Sequence, residues 1–106
     1  MPKYLTQASL TAEGVKGTLK EGGTARRAAI ERLADSLGMR LEAFYYAFGE
    51  DDVYAIIDAP DNVAAASSSM AVSAAGTSHV KTVVLITPEE MDEVAKRRSE
   101  YRPPGD

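Results

Sequence analysis

The chain has 106 residues, 44% of them hydrophobic and 26% charged, with a formal net charge of −4. That length holds one domain with a thin core, the composition excludes wholesale disorder, and the acidity argues against a nucleic-acid binder, which neutralises phosphates with a basic face. There is no cysteine, so disulfides, thiolate catalysis and zinc–sulfur sites are excluded.

Residues 3–10, KYLTQASL, read as a first strand. Thr11 caps a helix entering through Ala12-Glu13, with the acid at the positive end of the helix dipole. Gly14 and Gly17 each cost that helix about 1 kcal/mol relative to alanine, and Gly22-Gly23 interrupts it. Thr24 restarts a helix over 24–37, where Ile30, Leu33, Ala34 and Leu37 make one apolar stripe. Gly38 then suits the turn past its end.

Residues 39–48, MRLEAFYYAF, and 53–58, VYAIID, read as a hairpin across the polar turn Gly49-Glu50-Asp51-Asp52. Ala59-Pro60-Asp61-Asn62 ends the second strand. The alanine- and serine-rich stretch 63–75 follows as a helix with Val63, Ala66 and Met70 on one face. Residues 79–86, HVKTVVLI, are a fourth strand. Thr87-Pro88-Glu89-Glu90 opens a last helix, over 88–99, with a threonine cap, proline at the first helical position and glutamate at the third. Lys96-Arg97-Arg98 at its end suits the dipole without any acidic partner. The domain is expected to span 1–100, with 101–106 an extended tail.

This order predicts an α+β protein: a ferredoxin-like βαββαβ sandwich with a four-stranded antiparallel sheet, two main helices on one face and an extra C-terminal helix. An open sheet normally shows one apolar and one polar face. Here both parities of 39–48 and of 79–86 carry apolar residues. A bare face holding Phe44, Tyr46 and Phe48 would be a patch that soluble monomers avoid. The expected cover is a second copy of the chain, sheet against sheet, in a homodimer or higher homo-oligomer; the rival cover is the C-terminal helix folded across that face. The first residues lack an apolar leader core, and no apolar run reaches the roughly 18–20 residues of a membrane span. A cytoplasmic protein with no membrane partner is expected.

Few residues offer chemistry. Glu50, Asp51 and Asp52 lack the ligand spacing of a calcium loop and read as a solvated turn, so no metal is expected. Gly22, Gly23 and Thr24 with Arg26 and Arg27 form a candidate anion site at a helix start, although the Gly-Lys-Ser/Thr ending of a phosphate-binding loop is missing. An ordinary helix break explains the same residues. His79, the only histidine, is a candidate general base or simply a polar residue at a strand end. Tyr4, Tyr45, Tyr46, Tyr54 and Tyr101 suit pocket walls and interfaces alike. Ser67-Ser68-Ser69 has no partner histidine nearby in sequence, and no nucleophile is read there.

The segments KYLTQASLTAEGVKG, GGTARRAAIERLADSLG, DVYAI, TPEEMDE and YRPPG resemble the GYD-domain family of small bacterial and archaeal proteins. The resemblance implies a ferredoxin-like fold related to dimeric α/β-barrel proteins. The family's motif falls on Gly49, Asp51 and Asp52; Gly49 and Asp52 match it, and Asp51 stands where the family has tyrosine. It implies no settled activity and no catalytic residue.

Three functions are therefore weighed, none needing a cofactor. The first is a non-catalytic, homo-oligomeric small-molecule-binding or scaffold protein. The second is a cofactor-independent oxygenase or isomerase of the dimeric α/β-barrel type, with Tyr4, Tyr46, Tyr54 or His79 hydrogen-bonding a substrate between sheet and helices. The third is an anion-responsive regulator at Gly22-Gly23-Thr24. An enzyme needs a cavity of roughly 300 Å3 or more with convergent polar groups, whereas a scaffold needs none.

Overall fold

The computed structural model describes residues 1–106, which run β1 (Lys3–Leu10), α1 (Ala12–Glu21), α2 (Gly23–Ser36), β2 (Arg40–Tyr46), β3 (Val53–Asp58), α3 (Asn62–Ala74), β4 (Ser78–Leu85) and α4 (Pro88–Lys96). The strands pair antiparallel in the order β2-β3-β1-β4. Each crossover skips one strand: β3 lies between β1 and β2, and β1 lies between β3 and β4. This is the split βαβ arrangement of a ferredoxin-like α+β domain.

Local chemistry sets the helix boundaries. The Thr11 hydroxyl accepts from the Gly14 N–H at 3.2 Å and starts α1. Gly22, at φ 89°, both closes α1 and precedes α2, a backbone conformation that a side chain would strain. The Asp61 carboxylate caps α3 by accepting from Ala64 N–H at 2.9 Å. Thr87 and Glu90 cap each other's backbone N–H groups at the start of α4.

Tyr4, Thr6, Ala8 and Leu10 of β1 share the helix-covered sheet face with Val53, Ala55 and Ile57 of β3 and with Ser78 and Val80 of β4. One buried cluster holds Tyr4, Ala34, Met39, Ile57, Ala59 and Ala65. On β2 the expected parity is corrected. The register slips between Leu41 and Ala43, a bulge that opposes two residues to one and turns the side chains after it to the other face. Leu41, Phe44 and Tyr46 therefore all point toward the helices, with the Phe44 and Tyr46 rings edge to face at 5.2 Å. Phe48 lies beyond β2 in the turn, fully exposed. The bare face does not carry these three aromatics.

What it carries instead is a row across four strands, Ala43–Ile56–Leu5–Val83, with each neighbour in direct register. One border of the row is ionic. Lys3 Nζ lies 2.8 Å from Asp58 and 2.7 Å from Glu42, and Arg40 lies 3.0 Å from Asp58. The Lys3 ammonium first, and Arg40 after it, hold the Asp58 carboxyl below the usual carboxylate range against the opposing pull of burial. Asp58 and Glu42 in turn raise the Lys3 ammonium above its usual range.

Two further expectations are corrected. On α3 the inward residues are Ala65 and Ser68, whereas Val63 and Met70 are exposed; an alanine- and serine-rich helix has too little polarity contrast to fix its packed face in advance. The C-terminal helix does not fold across the sheet. Every residue of α4 is exposed, with Met91 and Val94 on one side of it, and the chain's radius of gyration is 17.0 Å against about 13 Å for a compact domain of this length. Residues beyond Lys96 form no helix or strand. No helix is long and apolar enough to cross a membrane.

Candidate functional site

Helix α2 packs over β2 and α3 over β4, so the two central strands lie beneath the gap between them. Several of the residues that meet in that gap are small, among larger ones such as Leu33, Met39 and Phe44. Thr6, Ala8 and Ala55 form the floor; Ala29 stands on the α2 side, and Ser68, Ala71 and Ala75 on the α3 side. Protein interiors leave few voids larger than a water molecule. Here the short side chains leave a cavity of about 530 Å3, partly open to solvent.

Helix α1 borders the same space, and its two glycines serve different ends. A Cβ at Gly14 would collide with the Thr77 carbonyl oxygen, so glycine there lets α1 dock against the segment entering β4. Thr11 secures this docking, its N–H donating to Thr77 O at 2.9 Å and its hydroxyl to Gly76 O at 3.1 Å. Gly17, one turn later, has nothing within 4 Å of its would-be Cβ and lines the cavity.

The lining is mostly apolar, with hydroxyls as its main polar groups. Thr18 donates to Gly14 O at 2.8 Å and Ser68 to Ala65 O at 2.8 Å. Tyr46 donates to Gly23 O at 3.3 Å, its ring lying where a Cβ on residue 23 would stand. Burial raises the Tyr46 phenol above its ordinary range, with Arg26 and Arg27 opposing. Glu13, Glu21 and Arg26 are the charged lining residues, and Arg26 lies 3.5 Å from Glu21. No group of three or more His, Asp or Glu side chains could hold a metal ion.

Of the four polar side chains expected in this pocket, the structure brings only Tyr46 to it. Tyr4 is buried in the core and donates to Asn62 Oδ1 at 2.6 Å. Tyr54 and His79 are corrections: each follows a cavity-lining neighbour, Val53 or Ser78, and strand alternation turns it to the opposite face of the sheet. Around Gly22-Gly23-Thr24 no side chain caps α2, Gly23 O is taken by Tyr46, and Arg26 faces Glu21. Arg27 turns instead to a shallow groove shared with Glu31 and Glu42.

The turn 49–52 is not the solvated loop its composition implied. Gly49 and Glu50 are exposed, but Asp51 is 4% exposed. It accepts from Ser9 Oγ at 2.9 Å and Gln7 Nε2 at 3.4 Å and lies 3.2 Å from Lys81 Nζ. Asp52 accepts from Leu10 N–H at 2.8 Å, and its own N–H donates to Ala8 O at 2.8 Å. Both motif aspartates thus bolt the hairpin to β1. Sequence reasoning missed the cavity's floor and walls; the signal was small residues at inward positions of both layers, Ala8 and Ala55 below, Gly17, Ala29 and Ala71 above.

A split-βαβ sheet with a mainly apolar cavity under its helices, its polar lining made of hydroxyls with Glu13, Glu21 and Arg26, defines a ferredoxin-like α+β domain. The GYD domain matches residues 4–95, and the chain belongs to the GYD-domain family. Comparison with curated proteins and with solved structures gave no match.

Proposed function

We propose that the protein is a homo-oligomeric, non-catalytic small-molecule-binding protein. The cavity of about 530 Å3 carries this reading: it has the size of a ligand site, is mainly apolar and has a few polar groups along its wall. A pure scaffold has no need of such a space. Of the four side chains expected to serve an oxygenase or isomerase, only Tyr46 lines it, its hydroxyl already donating to Gly23 O. Anion-responsive regulation has less to rest on, since Arg26 faces Glu21.

Two observations support assembly. The row Ala43–Ile56–Leu5–Val83 crosses a sheet face that no helix of the chain covers. In addition, α4 is nine residues long with no buried residue, and isolated helices shorter than roughly 12 residues are marginal in water. A partner copy supplies what both lack. Sedimentation velocity at micromolar concentration tests this: a dimer or larger species is expected, converted to monomer by Val83→Asp on the edge strand, and a wild-type monomer overturns it. For the ligand, organic extracts of protein purified from its own host are expected to yield one dominant compound; extracts that repeatedly hold none count against binding.

A further inference from the structure

We propose that the cavity takes an uncharged, predominantly apolar molecule, and that Gly17 sets the depth it can reach. The inference rests on the ligand-binding reading above and adds the ligand's chemical class and a specificity-determining position.

Charge decides the class. Among the lining residues the only cation is Arg26, already 3.5 Å from Glu21. An anionic ligand would leave water for an apolar space without a free counter-charge, and an unpaired charge is expensive to bury. The acids do not select a cation either, because Glu21 has its partner and Glu13 is exposed to solvent. What remains for recognition is neutral. The Thr6 and Ser78 side chains line the cavity, Thr6 beside Thr82 and Ser78 beside Leu10 in the sheet register. A hydroxyl both donates and accepts, so each suits a carbonyl, ether or alcohol on an otherwise apolar skeleton, at two points four residues apart along the sheet.

Room decides the reach. A would-be Cβ at Gly17 meets nothing within 4 Å, although a mid-helix glycine costs about 1 kcal/mol relative to alanine. Glycine at this position therefore keeps space on the α1 side that a side chain would take.

The test uses two fluorescent probes with one skeleton: N-phenyl-1-naphthylamine, which is neutral, and its anionic 8-sulfonate. The full-length protein is expected to bind the neutral probe saturably, with one site per chain and at least tenfold tighter than the sulfonate. Gly17→Leu is expected to weaken the neutral probe at least tenfold with an unchanged circular-dichroism spectrum, and Ala29→Leu, filling the cavity from α2, does the same if the first variant folds poorly. Equal or tighter binding of the sulfonate overturns the assignment of a neutral ligand and leaves the pocket itself standing. Binding of the neutral probe that survives both substitutions removes the site from this cavity. Failure of both probes to bind overturns the pocket reading together with this inference.

Discussion

Gly14 of α1 and Thr77, just before β4, meet backbone to backbone: the Thr77 carbonyl oxygen occupies the space where a side chain on residue 14 would begin. That contact seats α1 along the edge of the cavity. Gly17 belongs to the same helix and has open space instead. Substitutions at the two glycines are thus expected to act in opposite directions. Gly14→Ala should cost on the order of 3 kcal/mol, since a carbonyl fixed by backbone bonding cannot yield, whereas Gly17→Ala should add about 0.5–1 kcal/mol through helix propensity. Urea denaturation midpoints check both signs.

Asp51 is expected to matter through its hydrogen bonds. Asp51→Ala leaves the Ser9 hydroxyl and the Gln7 amide without their carboxylate and should cost about 1–3 kcal/mol. Asp51→Asn keeps a side-chain acceptor for Ser9 and should cost less. Chemical denaturation of the two variants side by side separates the contribution of the hydrogen bonds from that of the charge facing Lys81.

Asp58 sets a pH dependence. Its carboxyl titrates below the ordinary range in the folded chain, so near and below pH 4 the unfolded chain binds the extra proton. The contribution is present above the unfolded value of about 3.9 and is lost as pH falls through the lower folded value. Asp58→Asn should flatten that acid limb of the stability curve. Lys3 acts on the alkaline side: its raised value gives a contribution present below about 10.4 that fades as pH climbs through the folded value. Thermal melts in a buffer series from pH 2 to 11 follow both limbs.

Helix α4 is expected to contribute to assembly and not to the protomer. Met91→Ser combined with Val94→Ser changes side chains that are about half exposed in the single chain, so protomer stability should move by no more than about 0.5 kcal/mol. The dissociation constant of the assembly should rise at least tenfold. Sedimentation equilibrium and urea melts of one sample measure the two effects separately.

Most of the architecture was legible in the sequence, and its gaps have physical causes. β1 and β3 run over the residues expected from their alternation and flanking turns. β2 misled because a single extra residue near Glu42 reverses parity, and a bulge leaves no mark in a short aromatic run. The helix 63–75 formed as expected, at Asn62–Ala74, but small side chains on every side hid which of them turned inward. The burial of Asp51 depends on Gln7, Ser9 and Lys81 arriving from two other strands, which local composition does not encode. The cavity was hardest to foresee, because it consists of side-chain atoms that five separate elements do not supply.

Native mass spectrometry of the intact assembly, purified from its own host under gentle conditions, tests ligand binding by an oligomer most directly. The expected spectrum shows two or more copies of the chain, each carrying the mass of one small neutral molecule that departs on collisional activation and is absent from Gly17→Leu. A bare monomer, with no added mass at any activation energy, would contradict the proposal on both counts.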